Sequence, residues 1–461
     1  MKKLFCIILA AAFLLPLASC AKENAAQPTA GPNAGVTAAP GETSGPVGDA
    51  YVPDFSYNPE TDFDKRFLMN GNVNTLLETE DVYYFLPSGD HFMHWCEKDG
   101  SDYGVLCGKP ECMHDGGNGE AKNTDCNGYL GMEGQQFSWI ADGKIYYMQA
   151  LPLGRPEGCC RIYRMNLDGT EHEFVRAVPW PETPYGDHMS PQRLIYHRGI
   201  LYFLIFGGYI EEGEPMQPLM AAALPMDGDE ISIMYDSGPV MAFYGELCPV
   251  GEYCYIFAWG GSLVTKILRW SSVTGQTELL YEGDELGIIA KFWVDQSGTV
   301  YAASKYEEGV GQNSVLRLEN GEWEEVLRFD DPDIHYSIRA VSDGIVIARD
   351  FREYERDMDR DIDLWIRRFD GETLYKGKLP MAWIGELEEK YGGHVKLEHS
   401  MLFCGNENEI LAIYETWLPK PLGREYAPTC YVLVRYDITE NGLNEVMLCE
   451  TRHWIIEDLF G

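Results

Sequence analysis

The sequence predicts an all-β fold, a β-propeller of four-stranded blades, and three observations predict it. A short β-rich run opened by a tight polar turn recurs along the chain. A second β-run ending in a two-residue, Gly-containing turn follows each one. Helical periodicity is nearly absent, with Gly385 to Tyr391 the one convincing short helical candidate. The first run reads Asp81-Val-Tyr-Tyr-Phe85, Gly143-Lys-Ile-Tyr-Tyr147, Gly199-Ile-Leu-Tyr-Phe203 and Gly251-Glu-Tyr-Cys-Tyr255. It continues as Gly298-Thr-Val-Tyr-Ala302, Gly344-Ile-Val-Ile-Ala348 and Glu409-Ile-Leu-Ala-Ile413. The turns are Asp99-Gly100, Asp168-Gly169, Asp227-Gly228, Thr274-Gly275, Asn320-Gly321, Asp370-Gly371 and Asn441-Gly442. Asp-Gly and Asn-Gly suit hairpins because both central residues tolerate positive φ. Seven such turns, about 46 to 71 residues apart, fit four strands per unit with variable loops, hence seven blades. Six or eight blades, an all-β solenoid and two packed sandwiches are the alternatives.

Ahead of the repeats, Lys2 and Lys3 precede an apolar run from Leu4 to Leu17, which ends in Leu17-Ala18-Ser19-Cys20. The run is shorter than the ~20 residues of a spanning helix, so it reads as an export signal. Its ending resembles the lipobox of bacterial lipoproteins. That resemblance implies cleavage before Cys20 and a diacylglycerol anchor on its sulfur, on the extracytoplasmic face of the cell membrane. Residues 20–50 are rich in Ala, Gly, Pro, Ser and Thr and read as a flexible tether. Residues 51–72 form a lead-in, and 73–461 the propeller.

If strands are lettered A to D outward from the channel, A–B and C–D turns share one face, and B–C and D–A connections the other. The A–B and C–D turns are short here. The long insertions all fall in B–C or D–A positions, so a loop-rich face is expected at one channel mouth. Loops on a rigid scaffold are where binding usually resides. These loops hold Trp180, Tyr185, Tyr209, Tyr354, Trp383, Trp417 and Tyr426, together with Glu211, Glu212, Glu353 and Arg424. Rings among acids suit sugar stacking or capture of basic peptides. Packing of the rings on their own blades is the alternative.

The sharpest local motif is Cys107-x4-Cys112-x-His114-x11-Cys126, in the first D–A insertion. Three sulfurs and an imidazole could complete a tetrahedral structural zinc site. A disulfide among these cysteines, with the third paired elsewhere (Cys96 for instance), is the rival reading. Cys159 and Cys160 are adjacent. Cys248 and Cys254 flank an A–B turn where a cross-strand pair is plausible, and Cys404 and Cys430 fall on expected strands. Asp357-x-Asp359-x-Asp361-x-Asp363 alternates acids, but lacks the Gly and Glu of a calcium-binding helix–loop–helix.

The formal charge of −37 disfavours nucleic acid as a partner, and leaves glycans, peptides and envelope proteins open. The chain has no Gly-x-Ser-x-Gly, no His-Glu-x-x-His and no phosphate-cradling Gly loop, and no catalytic residue is nominated. Three functions are expected in order: a non-catalytic binding module, a structural or signalling subunit of an envelope complex, and a propeller-type glycan-active enzyme. The lipobox, the Asp142-to-Tyr147 strand and the Tyr163-to-Gly169 hairpin together resemble a family of bacterial extracytoplasmic propeller lipoproteins. That family is itself related to the propeller of low-density-lipoprotein-receptor-related proteins. The resemblance implies a fold and an address, and no activity.

Overall fold

The computed structural model describes residues 53–66, 76–87, 91–112, 114, 123–130, 137–151, 158, 160–181, 189–207, 209–211, 214–240, 242–260, 264–286, 291–305, 311–331, 336–350, 362–419 and 429–453. Seven four-stranded antiparallel sheets follow one another in chain order. Blade 1 holds β1 (Leu76–Glu78), β2 (Val82–Phe85), β3 (His94–Glu97) and β4 (Tyr103–Val105). Blade 2 holds β5 (Ser138–Ala141), β6 (Lys144–Ala150), β7 (Cys160–Asn166) and β8 (Glu173–Val178). Blade 3 starts with β9 (Met189–His197) and β10 (Ile200–Gly207). It carries a side hairpin of β11 (Tyr209–Glu211) and β12 (Glu214–Met216), and ends with β13 (Leu219–Pro225) and β14 (Ser232–Asp236). Blade 4 is β15 (Ala242–Val250), β16 (Tyr253–Gly260), β17 (Thr265–Ser271) and β18 (Thr277–Gly283). Blade 5 is β19 (Phe292–Val294), β20 (Val300–Ala303), β21 (Ser314–Glu319) and β22 (Glu322–Arg328). Blade 6 is β23 (Tyr336–Ser342), β24 (Ile345–Asp350), β25 (Asp363–Arg368) and β26 (Thr373–Lys378). After α1 (Ala382–Tyr391), blade 7 closes the series with β27 (Lys396–Gly405), β28 (Glu409–Trp417), β29 (Thr429–Thr439) and β30 (Gly442–His453). The architecture is the seven-bladed β-propeller that the repeats predict.

The core is divided among the seven gaps between blades. Successive side chains on a strand point to opposite sheet faces, and both faces of every blade meet a neighbour. The second strands are therefore almost continuously buried, as in β16 and β24. Seven apolar clusters result, one per gap, including Leu76, Tyr83 and Cys96 of blade 1 against Leu411, Leu433 and Leu448 of blade 7. Among the described residues no strand is exchanged between blades 1 and 7. The ring is closed there by side-chain packing and by Arg435, whose Nη1 donates to the Lys98 carbonyl at 2.7 Å.

Contacts between β1 and β5, β15 and β19, and β23 and β27 identify the first strand of each blade as the innermost one, lining the channel. The A–B and C–D turns are short, as expected. The register corrects one expected cysteine pair: Cys248 lies opposite Tyr255, and Cys254 opposite Pro249. The two sulfurs consequently face different gaps, Cys248 between blades 4 and 5 and Cys254 between blades 3 and 4. Cys96 is likewise buried at the blade 1–blade 7 seam beside Cys449, away from the Cys107 loop. Among the described residues no helix is long and apolar enough to cross a membrane.

Candidate functional site

The lead-in is the main feature that local sequence reading missed. Residues 53–66 run over the A–B turns and are held by them one after another. The Phe55 ring stacks on Tyr253 of blade 4 at 5.6 Å, and its carbonyl accepts from Gln296 Nε2 of blade 5 at 2.6 Å. Arg198, in the blade 3 turn, donates from Nε to Asp62 Oδ1 at 2.8 Å and from Nη2 to Oδ2 at 3.1 Å. The Asp62 side chain is 1% exposed, so this forked ion pair is desolvated. His197 Nδ1 accepts from the Phe63 backbone N–H at 3.0 Å, while Nε2 donates to the Gly251 carbonyl at 2.7 Å. Lys65 then reaches Asp343 of blade 6 at 2.7 Å, and Arg66 reaches Glu78 of blade 1 at 2.6 Å. Within four residues the chain passes from blade 3 to blades 6 and 1, so it crosses the mouth of the channel as a strap.

Beneath the strap is a cavity of about 780 Å³. Its walls are the innermost strands of blades 1, 2 and 3, with Phe137, Trp139, Leu194 and Tyr196 among the lining side chains and Tyr57 and Phe63 of the strap above. Trp139 is stacked between Tyr146 and Tyr196, each at 5.4 Å. Two wall groups, the Ser138 hydroxyl and the Trp139 indole N–H, are buried without a hydrogen-bond partner among the described residues. Such groups cost ~1–3 kcal/mol each when unsatisfied. Arg193 also lines the cavity and forms an ion pair with Glu246 at 2.8 Å. Burial pushes the Glu78 carboxyl up, but Lys98 and Arg66 outweigh it and hold Glu78 below its ordinary value.

The second site is the Cys/His loop. The ligand atoms of Cys107, Cys112, His114 and Cys126 lie within 4.8 Å of one another, so the cluster could hold a metal ion. The backbone builds it. Cys107 receives hydrogen bonds from the N–H groups of Lys109 and Asn127, and Cys126 receives one from Gly128. Burial pushes both thiols up; at Cys107 the donors outweigh it and hold the thiol below its ordinary value, while at Cys126 burial prevails and pushes the thiol up to about 12. Asn123 Nδ2 adds a contact to Cys112 Sγ at 3.2 Å. The loop is not a free-standing element of the long-loop face. Strand β4 has only three residues, so the chain leaves blade 1 early and packs sideways on the blade 2 hairpin. There the Asn127 carbonyl accepts from His172 Nε2 at 2.7 Å.

Of the expected ligand-face residues, Trp383 is overturned. It has no exposed surface, lies on α1 and packs on Tyr414 at 4.8 Å in the gap between blades 6 and 7, so it offers no ring face to a ligand. Trp180 is half-buried against the cluster between blades 2 and 3, and Trp417 is half-buried on β28. Tyr209 and Glu211 lie on β11, at the register positions of Met216 and Glu214. Cys20, Tyr185, Glu212, Glu353, Tyr354, Arg424, Tyr426, Cys159 and Asp357 to Asp361 lie outside the described residues.

The fold and its sites define a seven-bladed propeller with a strapped channel and a lateral Cys/His cluster. No family model and no curated protein matches the sequence. Among solved structures the chain is similar to a puromycin-hydrolysing peptidase of Mycobacterium tuberculosis (12% identity, TM-score 0.45, 88% of this chain and 57% of that one). It is also similar to an acylaminoacyl peptidase of Pyrococcus horikoshii (11%, 0.44, 84% and 54%). A third is the β-propeller domain of the Trilobed protease of Pyrococcus furiosus (11%, 0.37, 68% and 96%). The chain thus spans little more than half the length of the two peptidases, and the likeness brings no activity with it.

Proposed function

We propose that this protein is an exported lipoprotein, anchored through Cys20, whose propeller binds an extracytoplasmic ligand without catalysis. The observation that carries the reading is the channel cavity. It has the size of a small-molecule site, aromatic walls and a roof made by the chain itself. This moves the favoured site from the long-loop face to the channel; the long-loop face remains the surface for a glycan, peptide or envelope-protein partner. The resemblance to the receptor-related propeller family belongs to the same reading.

The test is a thermal-shift panel of muropeptides, glycans and peptides against residues 51–461. A ligand at a hundredfold its dissociation constant adds ~2.7 kcal/mol of stability. Wild type is expected to shift with one class, and a Ser138→Val, Trp139→Leu double variant to lose that shift. A shift that survives the double variant sinks the channel assignment. Anchoring is tested separately: Cys20→Ala should move the protein from the membrane to the soluble fraction.

We further propose that the Cys107, Cys112, His114 and Cys126 cluster holds structural zinc, because four N/S donors at this spacing close a tetrahedron with no open position. Elemental analysis should find one zinc per chain, lost in Cys112→Ser and His114→Ala. Chelation should loosen the loop between blades 1 and 2 and leave the remaining blades folded.

A further inference from the structure

Two thiols meet in the gap between blades 1 and 7, the first and last blades of the chain. Cys96 on β3 has no exposed surface, Cys449 on β30 is 2% exposed, and both belong to the same apolar cluster. The Cys449 and Cys96 thiols are in hydrogen-bond contact, and neither is bonded covalently. A β-bulge aims Cys449. The register of β29 and β30 pairs Leu433 with Cys449 and Val434 with Met447, which leaves Leu448 unpaired. The bulge interrupts the alternation of faces, so Leu448 and Cys449, adjacent in sequence, both turn toward blade 1.

Facing sheets ordinarily pack ~10 Å apart, wider than the ~4.4–6.8 Å between the Cα atoms of a disulfide. This seam is pinched. Strands β3 and β30 bring Cα atoms within 8 Å of each other. Gly100, in the turn after β3, permits the approach: it has φ 75°, and a Cβ there would stand 3.4 Å from Leu448 Cα. The Arg435 hydrogen bond to the Lys98 carbonyl holds the same turn against blade 7. The other cysteines of blade 7 are placed elsewhere. Cys430 packs in the gap between blades 6 and 7. Cys404 lies on the innermost strand, beside Arg66, Asp64 and Glu78 of the channel mouth.

We infer that Cys96 and Cys449 form a disulfide that closes the ring covalently. The two thiols are oxidised and a disulfide carrier, a small molecule or a protein, is reduced. One thiolate attacks the carrier's disulfide, and the second attacks the mixed disulfide at the first sulfur. The carrier leaves with both electrons and both protons as two thiols. The inference rests on the extracytoplasmic address, where such oxidants persist. Burial, and after it the Cys96 thiol, pushes the Cys449 thiol well above its ordinary value. The thiolate is the nucleophile, so exchange belongs to the open ring, before blades 1 and 7 dock, and docking then shields the bond. The bond supplies the closure that strand exchange does not provide among the described residues. Its loop takes in nearly the whole propeller, so it restricts the unfolded chain strongly.

The test refolds the complete chain with Cys20→Ala, zinc present, in oxidised or reduced glutathione. Free thiols are then blocked in denaturant and linked peptides identified by mass spectrometry. The oxidised sample should contain Cys96 joined to Cys449, and should melt at least about 5 °C above the reduced one. Cys96→Ala and Cys449→Ala should each abolish that difference, and Cys430→Ala should keep it. Two free thiols in the oxidised sample, or Cys96 joined to any other cysteine, overturn the inference without recourse to a variant. The address is read separately, on native protein blocked directly in cells and fractionated. Membrane-fraction protein carrying both thiols free overturns the disulfide. Protein found in the cytoplasm, whose thiols link in the glutathione buffer, overturns the address and leaves the pairing standing.

Discussion

His197 shows how much one side chain can decide. Its neutral imidazole accepts from the strap and donates to blade 4 at once. Burial holds its pKa below the ordinary value, assisted by Arg198 and opposed by the Gly251 carbonyl and Asp62. With the folded pKa under the unfolded ~6.5, the unfolded chain takes up the proton first. The stabilisation is therefore complete above about pH 6.5 and is lost as pH falls through the folded value. A proton on Nδ1 would also turn its acceptor into a donor facing the Phe63 N–H. The protection of the Phe63 amide against hydrogen exchange, relative to its intrinsic rate at each pH, should fall as pH drops from 7 to 5, and His197→Gln should flatten that dependence. Arg198→Ala leaves the Asp62 carboxylate buried and unpaired, a loss of about 3 kcal/mol. Local release of the strap caps that cost. The expected outcome is proteolytic cleavage between Tyr57 and Arg66, with only a small change in the global melting point.

At the scale of elements, the strap and α1 obey one rule: each is ordered by groups distant in sequence. The helix begins at Ala382, earlier than Gly385, because the Glu445 carboxylate accepts from the Ala382 and Trp383 N–H groups at 3.1 and 2.7 Å. An N-cap supplied by another strand leaves no local signature. The C-terminal stop is local, since Gly392 takes φ 70° and its N–H closes on Glu388. The strap depends on a glycine in a similar way. A Cβ at Gly251, which has φ 60°, would stand 2.3 Å from the Asp54 carbonyl. Gly251→Ala should lift residues 53–57 and expose them to protease, at about 1 kcal/mol in the turn itself. An intact strap in that variant would count against the described contact.

Across the whole molecule, stability rests on seven gaps of equal kind, and the blade 1–blade 7 gap is the one without covalent continuity between its blades. Each blade is a contiguous chain segment, so among the described residues opening there breaks side-chain packing and no strand pairing. Leu448→Ala, at a position 1% exposed, should cost about 3 kcal/mol. Hydrogen exchange should rise first in blades 1 and 7. A uniform rise around the ring would show that the seam is not the weak point.

The sequence alone determined the blade count, the short A–B and C–D turns, the helix and the Cys/His cluster. Each is written in neighbouring residues: a period-2 strand pattern, an Asn-Gly or Asp-Gly turn, ligands close along one loop. It determined nothing about the strap, because Asp62, His197 and Asp343 become partners only when the ring brings distant turns together. It misassigned Trp383 for a related reason: a ring in a connecting segment reads as exposed until a helix folds it into a gap. Tertiary structure decided these because a channel belongs to the ring and to no single blade.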